Sequence, residues 1–275
     1  LNFEAETCEV VDMTMNAIYL SQLGHDYWDD ADRWIRNQFA ENQLTWIDWV
    51  TDGHWNHRKP RAENIDNRMK EDYKWATTDR VAERNLGGFA GWGPINDWHS
   101  EHIALGIQGC CTGSGARLLY IIWKNMLEYG DGKLKLHLLF NRASKWADID
   151  SHIPFKGQVD IHARKKTDLS VRIPHWVDLD EVTLLVNGKS RETVFDGRYL
   201  QIGKVKKGRV ASVNFPIRER TEKLSLHGKD YTLVIRGSSV VSINPPGNYC
   251  PTYLRGHYRT GETLWKNVAR FIPDN

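Results

Sequence analysis

The sequence has few cysteines, a small net charge and no long apolar run, and each of these excludes a class of protein. Only four of its 275 residues are cysteines, and their uneven spacing does not fit a disulfide framework. The net charge at pH 7 is +2, which gives no electrostatic argument for a nucleic-acid partner. No apolar run approaches the roughly 18 residues that a membrane span needs. We therefore expect reduced thiols, and neither a membrane nor a nucleic acid as a partner.

The first 130 residues mainly show the apolar spacing that is typical of helices. Apolar spacing predicts one helix over residues 7–24 and a second helix that begins near Asp29. The stretch GHDY between them predicts an antiparallel αα-hairpin. A third helix is predicted over residues 115–126, because its apolar side chains share one face. Residues 46–105 have poor periodicity, and the sequence predicts no particular fold there.

After the stretch EYGDGK the period of the pattern changes to two, which is typical of strands. Seven alternating segments are separated by turn signals such as Asn187-Gly188. They are KLKLHLLF, GQVDIHA, DLSVRIP, EVTLLVNG, RYLQIG, RVASVNFP and YTLVIRGSSVVSI. Seven short strands are typical of a β-sandwich. We therefore predict an α+β chain with a boundary near residue 130, helical over residues 1–130 and an antiparallel β-sandwich over residues 131–275.

Two of the cysteines, Cys110 and Cys111, are adjacent and lie just before the third predicted helix. A disulfide between neighbours is disfavoured, since their Cα atoms are about 3.8 Å apart and a disulfide usually needs roughly 4.4–6.8 Å. A helix N-terminus lowers the pKa of a nearby thiol, Thr112 and Ser114 can cap the helix, and Arg117 adds a cation. The pair fits either a reactive or metal-binding site or two small buried residues at a tight helix entry.

Glu6 and Cys8 form a second short pair near the start of the chain. In an extended backbone, residues two apart point to the same side, so their oxygen and sulfur atoms can bind one ion together. With Cys110 and Cys111 they provide four ligands of types that zinc accepts. The two pairs are 102 positions apart (110 − 8), and from the residues alone an acid at a helix entry beside a buried thiol is the simpler interpretation.

The motif ETC, the pair CC leading into GARLLY, and the later segments LSVRIPHW and VTLLVNG together resemble glycoside hydrolase family 127, the β-L-arabinofuranosidase family. The resemblance extends from Glu6 to about Tyr253. It implies an (α/α)6 barrel followed by a β-sandwich, with Zn²⁺ bound by Glu6, Cys8, Cys110 and Cys111. It also implies that Cys110 is the nucleophile of a retaining glycosidase that acts on oligosaccharides or glycosides of plant-type glycans.

The sequence departs from the family pattern at its start. In the family a glutamate upstream of the E-x-C motif is the general acid/base, whereas five residues precede Glu6 here. Glu4 is the only upstream carboxylate, and its closeness to the predicted zinc ligands makes it a poor substitute. We therefore expect that the N-terminal half of the barrel is missing and that an upstream segment or a partner chain completes it. Reduced zinc-binding thiols favour a cytoplasmic location.

Aromatic residues lie just before the cysteine pair, in the region that the sequence leaves open. Trp92 and Trp98 are predicted to contact substrate, because sugar C–H faces pack against flat apolar rings, and Asn96 between them is assigned with them. Core packing is the alternative for both tryptophans.

The other histidines and cysteine that were considered as metal ligands are interpreted as having no role in metal binding or catalysis. Four histidines match no zinc-protease spacing and are interpreted as surface residues, and Cys250 as a buried, unreactive thiol. The histidines are His54, His57, His99 and His102. The alternative to an enzyme is a non-catalytic carbohydrate-binding or scaffold protein with a structural zinc site.

Overall fold

The computed structural model describes residues 5–48, 80–98, 106–226, 228–248 and 250–264. Several residues singled out from the sequence lie outside this part of the chain, so their interpretation stays a prediction. They are Glu4, His54, His57, His99 and His102. Within the described ranges the chain is a mostly-sheet α+β protein.

The described helices lie mainly in the first half of the chain. They are α1 (Thr7–Gln22), α2 (Trp28–Trp34), α3 (Val81–Arg84) and α4 (Gly109–Asn125). A π-helical turn, Ile35–Phe39, extends α2, and 3₁₀ turns occupy Leu179–Glu181 and Gly256–Arg259. As predicted, α1 ends just before Gly24, which adopts a left-handed φ of 98°.

The start of α4 differs from the prediction. The helix begins at Gly109, so Cys110 and Cys111 lie in its first turn and not before it. Thr112 N already donates to Gln108 O at 2.9 Å. Glycine is a poor helix former, yet α4 includes Gly109, Gly113 and Gly115.

The strands are short and cover most of the second half of the chain. Their bounds are β1 (Ala5–Glu6), β2 (Trp92–Gly93), β3 (Leu127–Gly130), β4 (Lys133–Leu136), β5 (Ala147–Ser151), β6 (Gln158–Ala163), β7 (Thr167–Arg172), β8 (Thr183–Val186), β9 (Lys189–Arg191), β10 (Phe195–Asp196), β11 (Tyr199–Val205), β12 (Val210–Asn214), β13 (Glu219–Leu226), β14 (Lys229–Arg236) and β15 (Ser239–Asn244). Each of the seven predicted segments overlaps at least one of these strands.

The strands form four sheets. The order is β10-β11-β7-β4-β3 in one five-stranded sheet and β5-β6-β12-β8-β9 in the other. A three-stranded sheet has the order β13-β14-β15, and β1 pairs with β2. The pair β4 and β7 is parallel, with Leu134 opposite Leu169, so the expectation of a wholly antiparallel β region is wrong there. A parallel pair needs a crossover connection, and the chain crosses over through β5 and β6 of the other sheet.

One hydrophobic cluster joins the helices to both five-stranded sheets. Ile18 of α1, Leu118 of α4 and Leu134 of β4 are fully buried in it, as is Ile161 of β6. Residues from both sides of position 130 therefore share this cluster, and the domain boundary near residue 130 stays a prediction. Among the described residues, no helix combines the length and the apolar character that a bilayer span requires.

Candidate metal centre

The helices α1 and α4 run parallel, and their N-termini meet at the cysteines. At one end Cys8 Sγ lies 3.5 Å from Cys111 Sγ. At the other end Gln22 Nε2 donates to Asn125 Oδ1 at 2.7 Å. Because each helix carries a partial positive charge at its N-terminus, the two macrodipoles add at the cysteine end and favour negatively charged ligands there.

Four potential ligand atoms lie close together at this end. One atom each from Glu6, Cys8, Cys110 and Cys111 is within 4.8 Å of the other three. The Cys110 and Cys111 sulfurs are 3.9 Å apart, and Cys111 Sγ lies 3.9 Å from Glu6 Oε1. In a tetrahedral zinc site with Zn–S bonds of about 2.3 Å, neighbouring sulfurs are about 3.8 Å apart. The donor types and their spacing therefore fit Zn²⁺.

The three thiols of this cluster differ in their access to solvent. Cys111 is fully buried, Cys8 is half-buried and Cys110 is exposed. A nucleophile must reach the substrate, whereas a purely structural ligand need not. The accessible member of the cluster is the one that the family resemblance assigns as the nucleophile.

Burial opposes ionisation of the innermost thiol. Burial, together with hydrogen bonding with Cys8 and Cys110, raises the pKa of Cys111 to about 12. At neutral pH a thiol in this position ionises only when a strong local cation stabilises the thiolate, and metal ligation by cysteine requires the thiolate. Metal binding at this site would therefore release protons.

A backbone segment next to the cluster is held by the first turn of α1. Thr7 N donates to Gly91 O at 3.2 Å, and the Thr7 hydroxyl donates to Ala90 O. Asn42 Nδ2 in turn donates to the Thr7 hydroxyl oxygen at 2.8 Å. Since Gly91 O also lies 3.8 Å from Cys111 Sγ, these contacts fix one wall of the cluster.

The first turns of α4 hold the same segment from the other side. Phe89 N donates to the Thr112 hydroxyl oxygen at 3.1 Å. The predicted capping role of Thr112 is therefore replaced by a tertiary one, and α4 has no side-chain hydrogen bond at its N-cap. Phe89 also lies against Gly115, where a Cβ atom would come within 2.5 Å of the ring. Only glycine permits this approach of the helix.

Ser114 is a neighbour of the cluster that the sequence argument did not assign to it. Its hydroxyl oxygen lies 3.6 Å from Cys8 Sγ. A hydroxyl can donate to an ionised sulfur, so Ser114 is placed to stabilise a thiolate at Cys8. The available sequence signal was its spacing, one helical turn after the cysteine pair.

The three predicted substrate contacts occupy different environments. Trp92 lies beside the cluster, because its backbone pairs with Glu6 between β1 and β2. Trp98 is buried, and its indole N–H donates to a backbone carbonyl at 3.2 Å. Asn96 Nδ2 donates to Pro245 O at 3.1 Å. Trp92 is thus the predicted contact with a direct structural link to the cluster.

Two further residues have partners or surroundings that bear on their predicted roles. The Arg117 guanidinium pairs with Asp12 at 3.1 Å on the exposed surfaces of α4 and α1. Its positive charge is therefore shared with a carboxylate. Cys250 is buried, and burial raises the pKa of its thiol to about 12, in line with an unreactive residue.

Comparison with known proteins supports the resemblance seen in the sequence. Residues 135–217 match a family profile described as the middle domain of GH127 β-L-arabinofuranosidase. The resemblance to glycoside hydrolase family 127 is thereby confirmed. A comparison with curated protein sequences gives no match.

Solved GH127 structures have a similar fold. The GH127 β-arabinofuranosidase BT3674 aligns with a TM-score of 0.56 at 16% identity, over 86% of this chain and 36% of that one. Ara127N, a GH127 β-L-arabinofuranosidase from Geobacillus stearothermophilus T6, aligns with a TM-score of 0.48 at 17% identity over the same shares. The chain therefore spans about a third of the length of these relatives.

Proposed function

We propose that this chain carries the metal centre of a zinc-thiolate retaining glycoside hydrolase of the GH127 type. The observation that supports the proposal most strongly is the convergence of Glu6, Cys8, Cys110 and Cys111 within 4.8 Å. The profile match over residues 135–217 adds independent support from the β region. The matching profile is described as β-L-arabinofuranosidase and BT3674 is a β-arabinofuranosidase, so β-L-arabinofuranosides of plant-type glycans are the proposed substrates.

In this proposal Cys110 is the nucleophile. A bound Zn²⁺ would keep the cysteines ionised at neutral pH. The Cys110 sulfur attacks the anomeric carbon, forming a C–S bond while the C–O bond to the leaving group breaks. The leaving oxygen takes a proton from the general acid. Water then gives a proton to the same group, now acting as a base, and displaces the sulfur from the opposite side, so the configuration is retained overall. The exposure of Cys110 supports its role, and Trp92, Asn96 and Trp98 are proposed to contact the sugar.

The proposed architecture is part of an (α/α)6 barrel over residues 1–130 and a β-sandwich over residues 131–275. The parallel packing of α1 and α4 is compatible with neighbouring helices of such a barrel. The inward-facing residues of the two five-stranded sheets share one core, as the two layers of a sandwich do.

A further helical segment is proposed to cover α1 and α4 and to supply the general acid/base. These helices leave large apolar side chains in solvent, including Leu23 at 78% and Tyr120 at 57% exposure. Contiguous exposed apolar surface is typical of an interface. The segment can belong to the same polypeptide or to a partner chain.

The second candidate function is a non-catalytic carbohydrate-binding or scaffold protein with a structural zinc. One observation favours it: four protein ligands close a tetrahedral site, and closed sites are typical of structural zinc. In that case the metal would fasten the N-terminus of α1 to that of α4.

Metal content tests both candidates. Elemental analysis of the purified protein is expected to give about one zinc per chain. Cys8→Ala and Cys111→Ala should lose the metal, whereas Cys250→Ala, a buried cysteine outside the cluster, should retain it. Absence of zinc from the wild-type protein would overturn both candidates.

Reactivity and turnover separate the two candidates. If Cys110 is the nucleophile, iodoacetamide labels it and a β-L-arabinofuranoside protects it. Cys110→Ser should abolish hydrolysis of an aryl β-L-arabinofuranoside, measured with the covering segment present, while Cys250→Ser retains it. A zinc-loaded wild-type protein that shows neither protection nor hydrolysis under these conditions would favour the structural alternative.

A further inference from the structure

A second concave site lies at the opposite end of α1 from the cysteines. Its volume is about 600 Å³, within the range of small-molecule sites. The end of α1 and the following loop form one wall, and β3, β4 and the turn between β10 and β11 form the other. Since α1 has 16 residues, the two ends of this helix are about 24 Å apart. The cleft and the cysteine cluster are therefore separate sites.

The floor of the cleft is an ordered group of side chains. The His137 imidazole stacks on the Trp28 indole with ring centroids 4.5 Å apart. His137 Nδ1 lies 2.6 Å from the Tyr199 hydroxyl, and His137 Nε2 lies 3.4 Å from Glu128 Oε2. With the Nε2 proton directed to Glu128, Nδ1 accepts the Tyr199 proton. The Tyr199 oxygen then has a lone pair with which to accept a hydrogen bond from a ligand.

The charges around this floor are balanced. Lys135 and Arg198 provide positive charge, and Glu128 and Asp196 provide negative charge. Asp26 also lines the cleft, and its carboxylate is paired with the buried Arg172 at 2.8 Å. Burial lowers the pKa of His137 to about 4, so the imidazole is neutral at pH 7 and adds no further cation. Such a site offers donors and acceptors together and favours neither an anion nor a cation. A neutral polyhydroxylated molecule matches this combination.

We propose that this cleft is a second carbohydrate-binding site, in which Tyr199 and His137 form the polar floor and Lys135 and Glu128 bind hydroxyl groups at the rim. The ligand is a neutral sugar unit, and the choice of a sugar over other neutral polyols rests on the proposed glycosidase function. The site binds a remote unit of the same glycan, while the cysteine end acts on the terminal sugar.

The test follows the His137 imidazole C–H resonance by NMR while methyl β-L-arabinofuranoside, xylotriose or glucuronate is added to the Cys110→Ser protein. A neutral sugar should shift this resonance in a saturable way. Tyr199→Phe keeps the ring but lacks the hydroxyl, and it should weaken binding about 5-fold. Lys135→Ala, at an exposed rim position that leaves the core intact, should also weaken it.

Three outcomes would overturn the proposal. They are no shift at the solubility limit of either neutral sugar, a saturable shift with glucuronate alone, and equal affinities for the wild-type, Tyr199→Phe and Lys135→Ala proteins. Failure here is distinguishable from failure of the proposed function, because the readout is a residue at the far end of α1 in a protein that cannot turn over. Conversely, a wild-type protein that binds a sugar at His137 but contains no zinc would support the cleft, and its lack of zinc would overturn the metal mechanism.

Discussion

The helices α1 and α4 and the two five-stranded sheets share a core but differ at their surfaces. On the helices, Met13, Tyr19, Leu23, Leu119 and Tyr120 are all at least 40% exposed. In the two sheets the large apolar residues at alternating positions face the core, as the burial of β4 and β6 shows. The sheets therefore bury their own apolar surface, whereas the helices leave part of theirs in solvent. The proposed covering segment would account for this difference.

The largest effect on the free energy of unfolding is expected for the ion pairs that join the helices to a five-stranded sheet. Arg172 at the end of β7 is 3% exposed. It binds Asp26, in the connection between α1 and α2, at 2.8 Å, and it also binds Asp29, in the first turn of α2. Arg172→Ala leaves two carboxylates without their cation and should lower the free energy of unfolding by about 3–5 kcal/mol, measured by urea denaturation.

The control for this variant is Arg218→Ala, which removes a fully exposed arginine paired with Glu181. It should leave the urea midpoint nearly unchanged. Equal midpoints for the two variants would show that the charged junction does not hold the helices to the sheet.

A matched pair of leucines tests the difference in burial directly. Leu136 of β4 is fully buried, and Leu119 of α4 is 46% exposed. Leu136→Ala should cost about 2–5 kcal/mol because it leaves a cavity in the shared core. Leu119→Ala should change the unfolding free energy by less than about 0.5 kcal/mol in this chain. A large loss for Leu119→Ala would mean that the helical surface is already covered, for instance by self-association.

The parts of the fold that could be predicted are those with a local pattern. Alternation identified β6, β7 and β12, and the 3.6-residue period identified α1. The strand β13 was missed because nearly all of its side chains are exposed, so it carries no alternation of apolar and polar residues. The start of α4 was missed because the predicted helix began at Gly115, and the apolar spacing that identified the helix does not extend into the preceding stretch GCCTGS.

The candidate metal centre was harder to predict from the sequence than the fold. From residue types alone, Glu6 and Cys8 gave a weak signal, because proximity across 102 positions has no local signature. The family resemblance linked them to Cys110 and Cys111, and the parallel packing of α1 and α4 accounts for the convergence physically. Ser114 and the His137 group depend on tertiary contacts, and no motif in the sequence marked them.

The junction between the regions should also make stability depend on pH. Burial lowers the pKa of His137 from its ordinary value of 6.5 to about 4, so the unfolded chain binds more protons between these values. Stability should therefore decrease as the pH falls, by about 2 kcal/mol between pH 7 and pH 4.5 from this group. Urea denaturation across this range should show a shallower pH dependence for His137→Gln than for the wild type. Parallel curves would mean that His137 is protonated in the folded state.

The smallest effects are expected within the helical region, where two glycines of α4 separate tight packing from open surface. A methyl group at Gly115 would come within 2.5 Å of the Phe89 ring, so Gly115→Ala should cost about 1–3 kcal/mol. Gly113, half a turn earlier, has no atom within 4 Å of the corresponding position, and Gly113→Ala should stabilise the helix by up to about 1 kcal/mol. Thermal unfolding gives both values.

Because Phe89 lies next to the segment that walls the cysteine cluster, Gly115→Ala should also weaken zinc retention against a chelator, while Gly113→Ala leaves it unchanged. Equal zinc retention in the two variants would show that the cluster is held by its ligands alone and does not depend on the packing of α4 on Phe89.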